Sequence, residues 1–274
     1  MASYDIDGEN NLHYVHHPAA DGGVTFVSFN ALTGDTAMWE APIGEALRQA
    51  GHGVLAFNFR GQQGSAFAPG AALTPDLIVE DAGALLAHMA PERPVFVGLS
   101  IGGLFAAQVH LAGRAGTEAI GLVLINTLRK DGARLRWIND AVVRAAEVGG
   151  LELFRDLYVP LLFAEPWLSE NRGGFLKAPA YAPIDPAGGP YNLLKHSGAA
   201  DWDLPYEELN LPVLVMTGLE DHVFLDPKAV AELSARMPDA RRLDFDAGHL
   251  LPAEDPAAVT AALLDFAAGL SITI

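Results

Sequence analysis

The chain has no cysteine. Disulfides, thiolate-held metals and cysteine nucleophiles are therefore excluded, although this absence does not fix a compartment. Basic residues are scarce: 17 Lys and Arg stand against 34 Asp and Glu, a formal net charge of −17. A surface of that sign repels phosphate backbones and anionic headgroups, so neither nucleic acid nor membrane is an expected partner. No apolar run reaches the roughly 18 residues that a spanning helix requires. The opening MASYDIDGENNLHYV has no basic stretch followed by an apolar one. No secretory signal is visible there, and a cytoplasmic location is the expectation.

What is present is ample core material. Of 274 residues, 50% are hydrophobic, enough for one α/β domain with an insertion. SYDI, a turn through Asp7 and Gly8, and LHYVHH read as a hairpin. Short apolar runs follow at 24–30, 54–59, 94–99, 121–126 and 212–218, with ARRLDFD at 240–246. All but the last are apolar nearly throughout, as in strands covered on both faces, which points to a parallel sheet. Between them lie helical patterns. Thr74, Asp226 and Asp255 each precede a proline, a capping side chain before the one residue that loses no hydrogen bond at a helix start. EAPIGEALRQAG reads as a helix stopped at Gly51. The expectation is a doubly wound, mostly parallel eight-stranded sheet with right-handed crossovers.

One interval breaks this rhythm. Between Asn126 and Leu211 no strand is visible, but ARLRWINDAVVRAAEVGG and LELFRDLYVPLLFAEPWL are amphipathic, and APAYAPIDPAGGP is a loop. A connection of roughly 80 residues is far beyond ordinary loop lengths, so a helical cap is expected at 127–210, between core segments 1–126 and 211–274.

The chemistry gathers at three places. Gly98-Leu99-Ser100-Ile101-Gly102 follows an apolar run and opens a helical pattern, the setting in which G-x-S-x-G forms a nucleophile elbow. Side chains at Gly98 and Gly102 would collide with the neighbouring strand and helix. The helix N-terminus under Ser100 favours developing negative charge. A serine hydroxyl needs a base, and His249 in FDAGHLLPAEDP supplies one. Asp221 in TGLEDHVF would orient the imidazole. Glu220 competes with Asp221 and His222 with His249; spacing from Gly218 and adjacency to Asp221 decide against them. His13, His16 and His17 lack a carboxylate-rich partner, and no metal or cofactor is expected. GQQGS at 61–65 lacks a phosphate-binding glycine pattern.

With these residues in order, the chain resembles the capped members of the α/β-hydrolase superfamily over nearly its whole length. VTFVSFNALTGDTAMWE, VLAFNFRGQQGSA, the elbow, TGLED and AGHLLPAEDP fall where that family has its elements. Many relatives carry His-Gly after the third strand; Asn30-Ala31 here is closer to the loop of 3-oxoadipate enol-lactonases. The resemblance implies an oxyanion hole from the backbone N–H groups of Leu32 and Ile101, and a structural role for Asn58. It implies hydrolysis of a small-molecule ester or lactone through an acyl-serine. The same residues admit C–C bond hydrolysis, perhydrolysis, acyl-homoserine-lactone cleavage, or a ligand-binding receptor with little turnover. Haloalkane dehalogenation is disfavoured, because relatives doing it have aspartate at the position of Ser100. Asn30, Trp137, Phe163 and Trp167 are expected to contact substrate. Phe154, Tyr158 and Phe175 are further cap aromatics, most of them expected to pack. Substrate identity and oligomeric state are not legible.

Overall fold

The structure, a computed structural model, describes residues 2–113, 116 and 118–270. Residues 271–274, which end the second core segment expected above, lie outside them. Eight strands form one open sheet in the order β1-β2-β4-β3-β5-β6-β7-β8. They are β1 Ala2–Asp5, β2 Asn11–His17, β3 Thr25–Phe29, β4 Gly53–Phe57, β5 Pro94–Leu99, β6 Gly121–Ile125, β7 Val213–Gly218 and β8 Ala240–Phe245. The hairpin β1–β2 is antiparallel and β2 joins β4 antiparallel; every later pairing is parallel.

Side-chain alternation along the buried strands builds two cores. Val27, Phe29, Leu55, Phe57, Phe96, Leu122 and Val215 point to one face, and helices α3 (Pro75–Met89) and α4 (Ile101–Leu111) cover it. Phe26, Val54, Val95, Val97, Val123 and Leu214 point to the other. There α1 (Ala37–Trp39), α2 (Glu45–Gln49) and α9 (Pro256–Leu270) bury Trp39, Leu47 and Phe266. This two-sided burial is why those strands read as unbroken apolar runs. Edge strand β8, with its polar exposed positions, does not. Thr74 and Asp226 cap α3 and α8 (Pro227–Ser234), and Asp255 accepts the Ala258 N–H at 2.9 Å. Gly51 has φ +88°, the left-handed stop expected of it. The segment before it is not one helix. Ala41, placed before Pro42, is extended at φ −148° and ψ 139°, because the proline ring disfavours helical backbone at the preceding residue.

The segment between β6 and β7 carries α5 (Ala133–Leu162), α6 (Glu165–Asn171) and α7 (Gly189–Ser197). Gly150, at φ +73°, divides α5 into the two amphipathic stretches visible in sequence, and a Cβ added there would come 2.5 Å from the Ala182 carbonyl oxygen. Asn192 on α7 fastens this insertion to the loop before α3. It accepts the Leu73 N–H at 2.9 Å and donates to the Ala71 carbonyl at 2.7 Å. Among the described residues no helix is long and apolar enough to cross a membrane.

Candidate active site

Five loops meet at the carboxyl ends of β3, β5, β6, β7 and β8, beside the point where strand order reverses. Open α/β sheets place ligands there. Ser100 follows β5 with φ 57° and ψ −124°, a strained conformation for a residue with a Cβ. The turn survives because its flanks have no side chains. A Cβ at Gly98 would lie 2.3 Å from the Gly103 backbone, and one at Gly102 2.3 Å from the Asn30 carbonyl.

Asp221 is fixed from both sides. Its Oδ1 accepts the N–H groups of Val223 (3.0 Å) and Phe224 (2.9 Å), and its Oδ2 lies 2.6 Å from His249 Nδ1. Burial pushes the carboxyl pKa up. The charge and hydrogen bond of His249, the Phe224 N–H and the charge of Arg129 outweigh that, leaving it below the usual carboxylate range. The two rivals are occupied elsewhere: His222 pairs with Glu220 at 3.4 Å, both about half exposed.

His249 is placed by the insertion as well as by the sheet. The Leu162 carbonyl at the end of α5 accepts the His249 N–H at 2.6 Å, and the Leu161 carbonyl accepts that of His222 at 2.9 Å. Glu254 bridges the same two bodies, accepting the N–H groups of Ala164 and Gly248 at 2.8 Å each. Ser100 and His249 line one cavity of about 410 Å³, within the usual range for small-molecule sites. No hydrogen bond joins them among the described residues. Instead Arg129 Nη2 donates to Ser100 Oγ at 3.1 Å.

Leu32 and Ile101 line the cavity. No hydrogen bond among the described residues takes up either backbone N–H. The Leu32 loop is held from behind: Gln62 Nε2 donates to the carbonyls of Ala31 (2.9 Å) and Leu32 (3.1 Å).

Three expected substrate contacts require correction. Asn30 does not face the cavity. Its Nδ2 donates to the Phe57 carbonyl, Asn58 Oδ1 and Gln62 Oε1, and its Oδ1 accepts from Trp39 Nε1, all at 2.9–3.0 Å. A fully committed amide braces the loop and has nothing left for a ligand. Asn58 belongs to the same bracing, accepting the Thr36 N–H at 2.9 Å. Trp137 is 77% exposed. The inward stripe of α5 runs through Leu135, Ile138, Val142 and Ala146, and Trp137 lies off it. Trp167 is one layer back, stacked on Phe163 at 3.9 Å, and only Phe163 of that pair lines the cavity. Phe154, Tyr158 and Phe175 line it as well. No motif or periodicity in the sequence marks Arg129, Asn126, Gln62 or Glu254 as site residues.

Residues 24–256 match the family described as the alpha/beta hydrolase fold. The chain belongs to that family. Solved α/β-hydrolase-fold relatives superpose over nearly all of it. The enol-lactonase from Burkholderia xenovorans is 25% identical, with 97% of this chain and 99% of that chain covered and a TM-score of 0.77. An α/β-hydrolase enzyme from a Medee basin deep-sea metagenome is 20% identical, covering 97% and 96%, at 0.81. A thermophilic esterase from Thermogutta terrifontis is 23% identical, covering 98% and 97%, at 0.75. No curated protein sequence matches the chain. The family and the enol-lactonase likeness together support a hydrolase.

Proposed function

We propose that the protein is a serine hydrolase that cleaves a small carboxylic ester or lactone through an acyl-serine intermediate. The observation that carries this reading is the buried 2.6 Å Asp221–His249 pair opening onto the same cavity as the elbow serine. Ser100 Oγ attacks the carbonyl carbon and His249 Nε2 takes its proton. Asp221 keeps the other ring nitrogen protonated and stabilises the imidazolium. The N–H groups of Leu32 and Ile101 receive the oxyanion, each well-placed donor contributing roughly 3–4 kcal/mol. His249 then returns the proton to the leaving alkoxide, water enters, and the cycle repeats in reverse to release the acid. In the resting arrangement Oγ is turned to Arg129, so attack begins with a rotation of the Ser100 side chain. Such bonds commonly close only in the substrate complex.

The enol-lactonase neighbour and the Asn30-Ala31 loop favour a lactone over an open-chain ester; the helical insertion acts as the cap. A cytoplasmic, soluble enzyme acting without metal or cofactor fits this reading. The test is labelling by a fluorophosphonate together with turnover on a panel of aryl esters and lactones. Wild type should be labelled, and Ser100→Ala should lose both label and turnover, by about 10⁴-fold or more. Full activity in Ser100→Ala would end the proposal. One equivalent of product without steady turnover would favour a receptor.

A further inference from the structure

The cavity holds a charge that the serine mechanism does not use. Arg129, three residues beyond Asn126, is 6% exposed, yet no carboxylate lies within ion-pair distance of it among the described residues. Its Nε donates to the Thr127 carbonyl (3.3 Å) and its Nη2 to the Asn126 carbonyl (2.8 Å) and Ser100 Oγ (3.1 Å). Its guanidinium packs against the rings of Trp202 and Phe224, at 4.6 and 4.5 Å from their centroids. Nη1 makes no hydrogen bond among the described residues, and Arg129 lines the cavity. Burial draws the Arg129 pKa down to about 10, against the pull of Asp221 and Tyr206, so it stays charged at neutral pH. Burying a cation with no anion in contact is unfavourable unless something supplies that anion.

A second observation points the same way. In a chain with twice as many acids as bases, the described lining of this cavity contains no Asp or Glu. Its cationic members are Arg129 beside the nucleophile and Arg155, exposed at the rim. The remaining wall is hydrocarbon and aromatic, from residues such as Val142, Phe154, Val159 and Leu162.

We propose that this cavity selects substrates bearing a carboxylate close to the scissile carbonyl, with Arg129 as the group that binds it and Arg155 as the charge that draws it in. The proposal rests on the serine-hydrolase reading and names its substrate class. Arg129 touches Oγ, so the bound carboxylate sits only a few bonds from the carbonyl under attack. Nη1 and Nη2 offer it a two-point grip, the geometry in which arginine binds carboxylates most strongly. The incoming carboxylate also takes the place of Ser100 Oγ as acceptor, which frees the hydroxyl to turn toward His249.

The experiment compares the 4-nitrophenyl monoester of succinic acid with 4-nitrophenyl butyrate, a carboxylate against a methyl at equal chain length. Wild type should favour the anionic ester by about tenfold or more in kcat/KM. Arg129→Gln should collapse that ratio toward one, and Arg129→Lys should restore part of it. Arg155→Gln should reduce the advantage chiefly at low salt. Calorimetry on wild type, which needs neither turnover nor a variant, should detect succinate but not succinamide. A ratio at or below one in wild type, equal loss on both esters in Arg129→Gln, or equal binding of succinate and succinamide would overturn the proposal. Fluorophosphonate labelling of Ser100 with no anionic preference sinks this inference alone, whereas absence of labelling sinks the serine-hydrolase reading beneath it.

Discussion

Asn126 holds His249 by the main chain: its Nδ2 donates to the His249 carbonyl at 2.8 Å. The same amide donates to the Gly248 carbonyl at 3.0 Å, and its Oδ1 accepts the Gly218 N–H at 2.7 Å. One side chain at the end of β6 thus ties the β7 terminus, which leads to Asp221, to the turn that carries the imidazole. Its own backbone is left-handed, φ 49°, a conformation that asparagine tolerates better than most residues.

Asn126→Asp keeps that backbone preference and replaces two donors by a carboxylate facing two carbonyls. We expect kcat to fall by about 10²-fold with a much smaller change in KM, because the base is misplaced while the substrate wall is intact. Steady-state kinetics on an aryl ester checks this; a change confined to KM would count against a positioning role.

Asp221→Asn should leave the protein folded and lower kcat by about 10⁴-fold, since the amide favours the wrong imidazole tautomer. A stability signature accompanies it. The Asp221 pKa lies below its ordinary value in the folded protein, so ionisation of Asp221 favours folding. That contribution is complete above the ordinary carboxylate pKa, near 4, and is lost as pH falls through the lower folded value. Urea melts between about pH 2 and 6 should show a shallower acid-side decline in the variant than in wild type.

Gly102→Ala places a Cβ 2.3 Å from the Asn30 carbonyl oxygen and 2.4 Å from that of Phe29. Both obstacles are backbone in a buried strand end and cannot swing aside. The cost should be about 1–3 kcal/mol or more, with Ser100 displaced. Denaturant unfolding should report the first and slowed fluorophosphonate labelling the second.

Arg60 and Asp81 form a buried bidentate pair, Nε to Oδ2 at 2.6 Å and Nη2 to Oδ1, joining the loop after β4 to α3. Neither residue lines the cavity. Asp81→Ala strands a buried guanidinium and should cost about 3–5 kcal/mol, whereas Arg60→Met with Asp81→Leu should recover most of it. Hydrolytic activity per folded molecule should be unchanged in both, as read from active-site titration after chemical unfolding curves have established the folded fraction.

The alternation of strands and helices, the elbow and the order Ser100, Asp221, His249 are all legible in the linear chain. Those features depend on local pattern: buried parallel strands must be apolar on both faces, and a sharp strand-to-helix turn excludes side chains at Gly98 and Gly102. The linear chain also marked the insertion, because no strand pattern interrupts that interval. Tertiary structure alone decided what the insertion presents to the cavity. Trp137 and Phe163 are both large aromatics on amphipathic segments, yet one faces solvent and the other the cavity, a difference set by how α5 rotates as it docks. Asn30 looked like a ligand contact until its four partners, contributed by three other segments, consumed its amide. Arg129 is one of 17 basic residues in sequence, and only folding shows it buried against Ser100 Oγ with no carboxylate in contact among the described residues. Chain order can specify which groups exist, but a charge acquires its chemical meaning from neighbours distant in sequence.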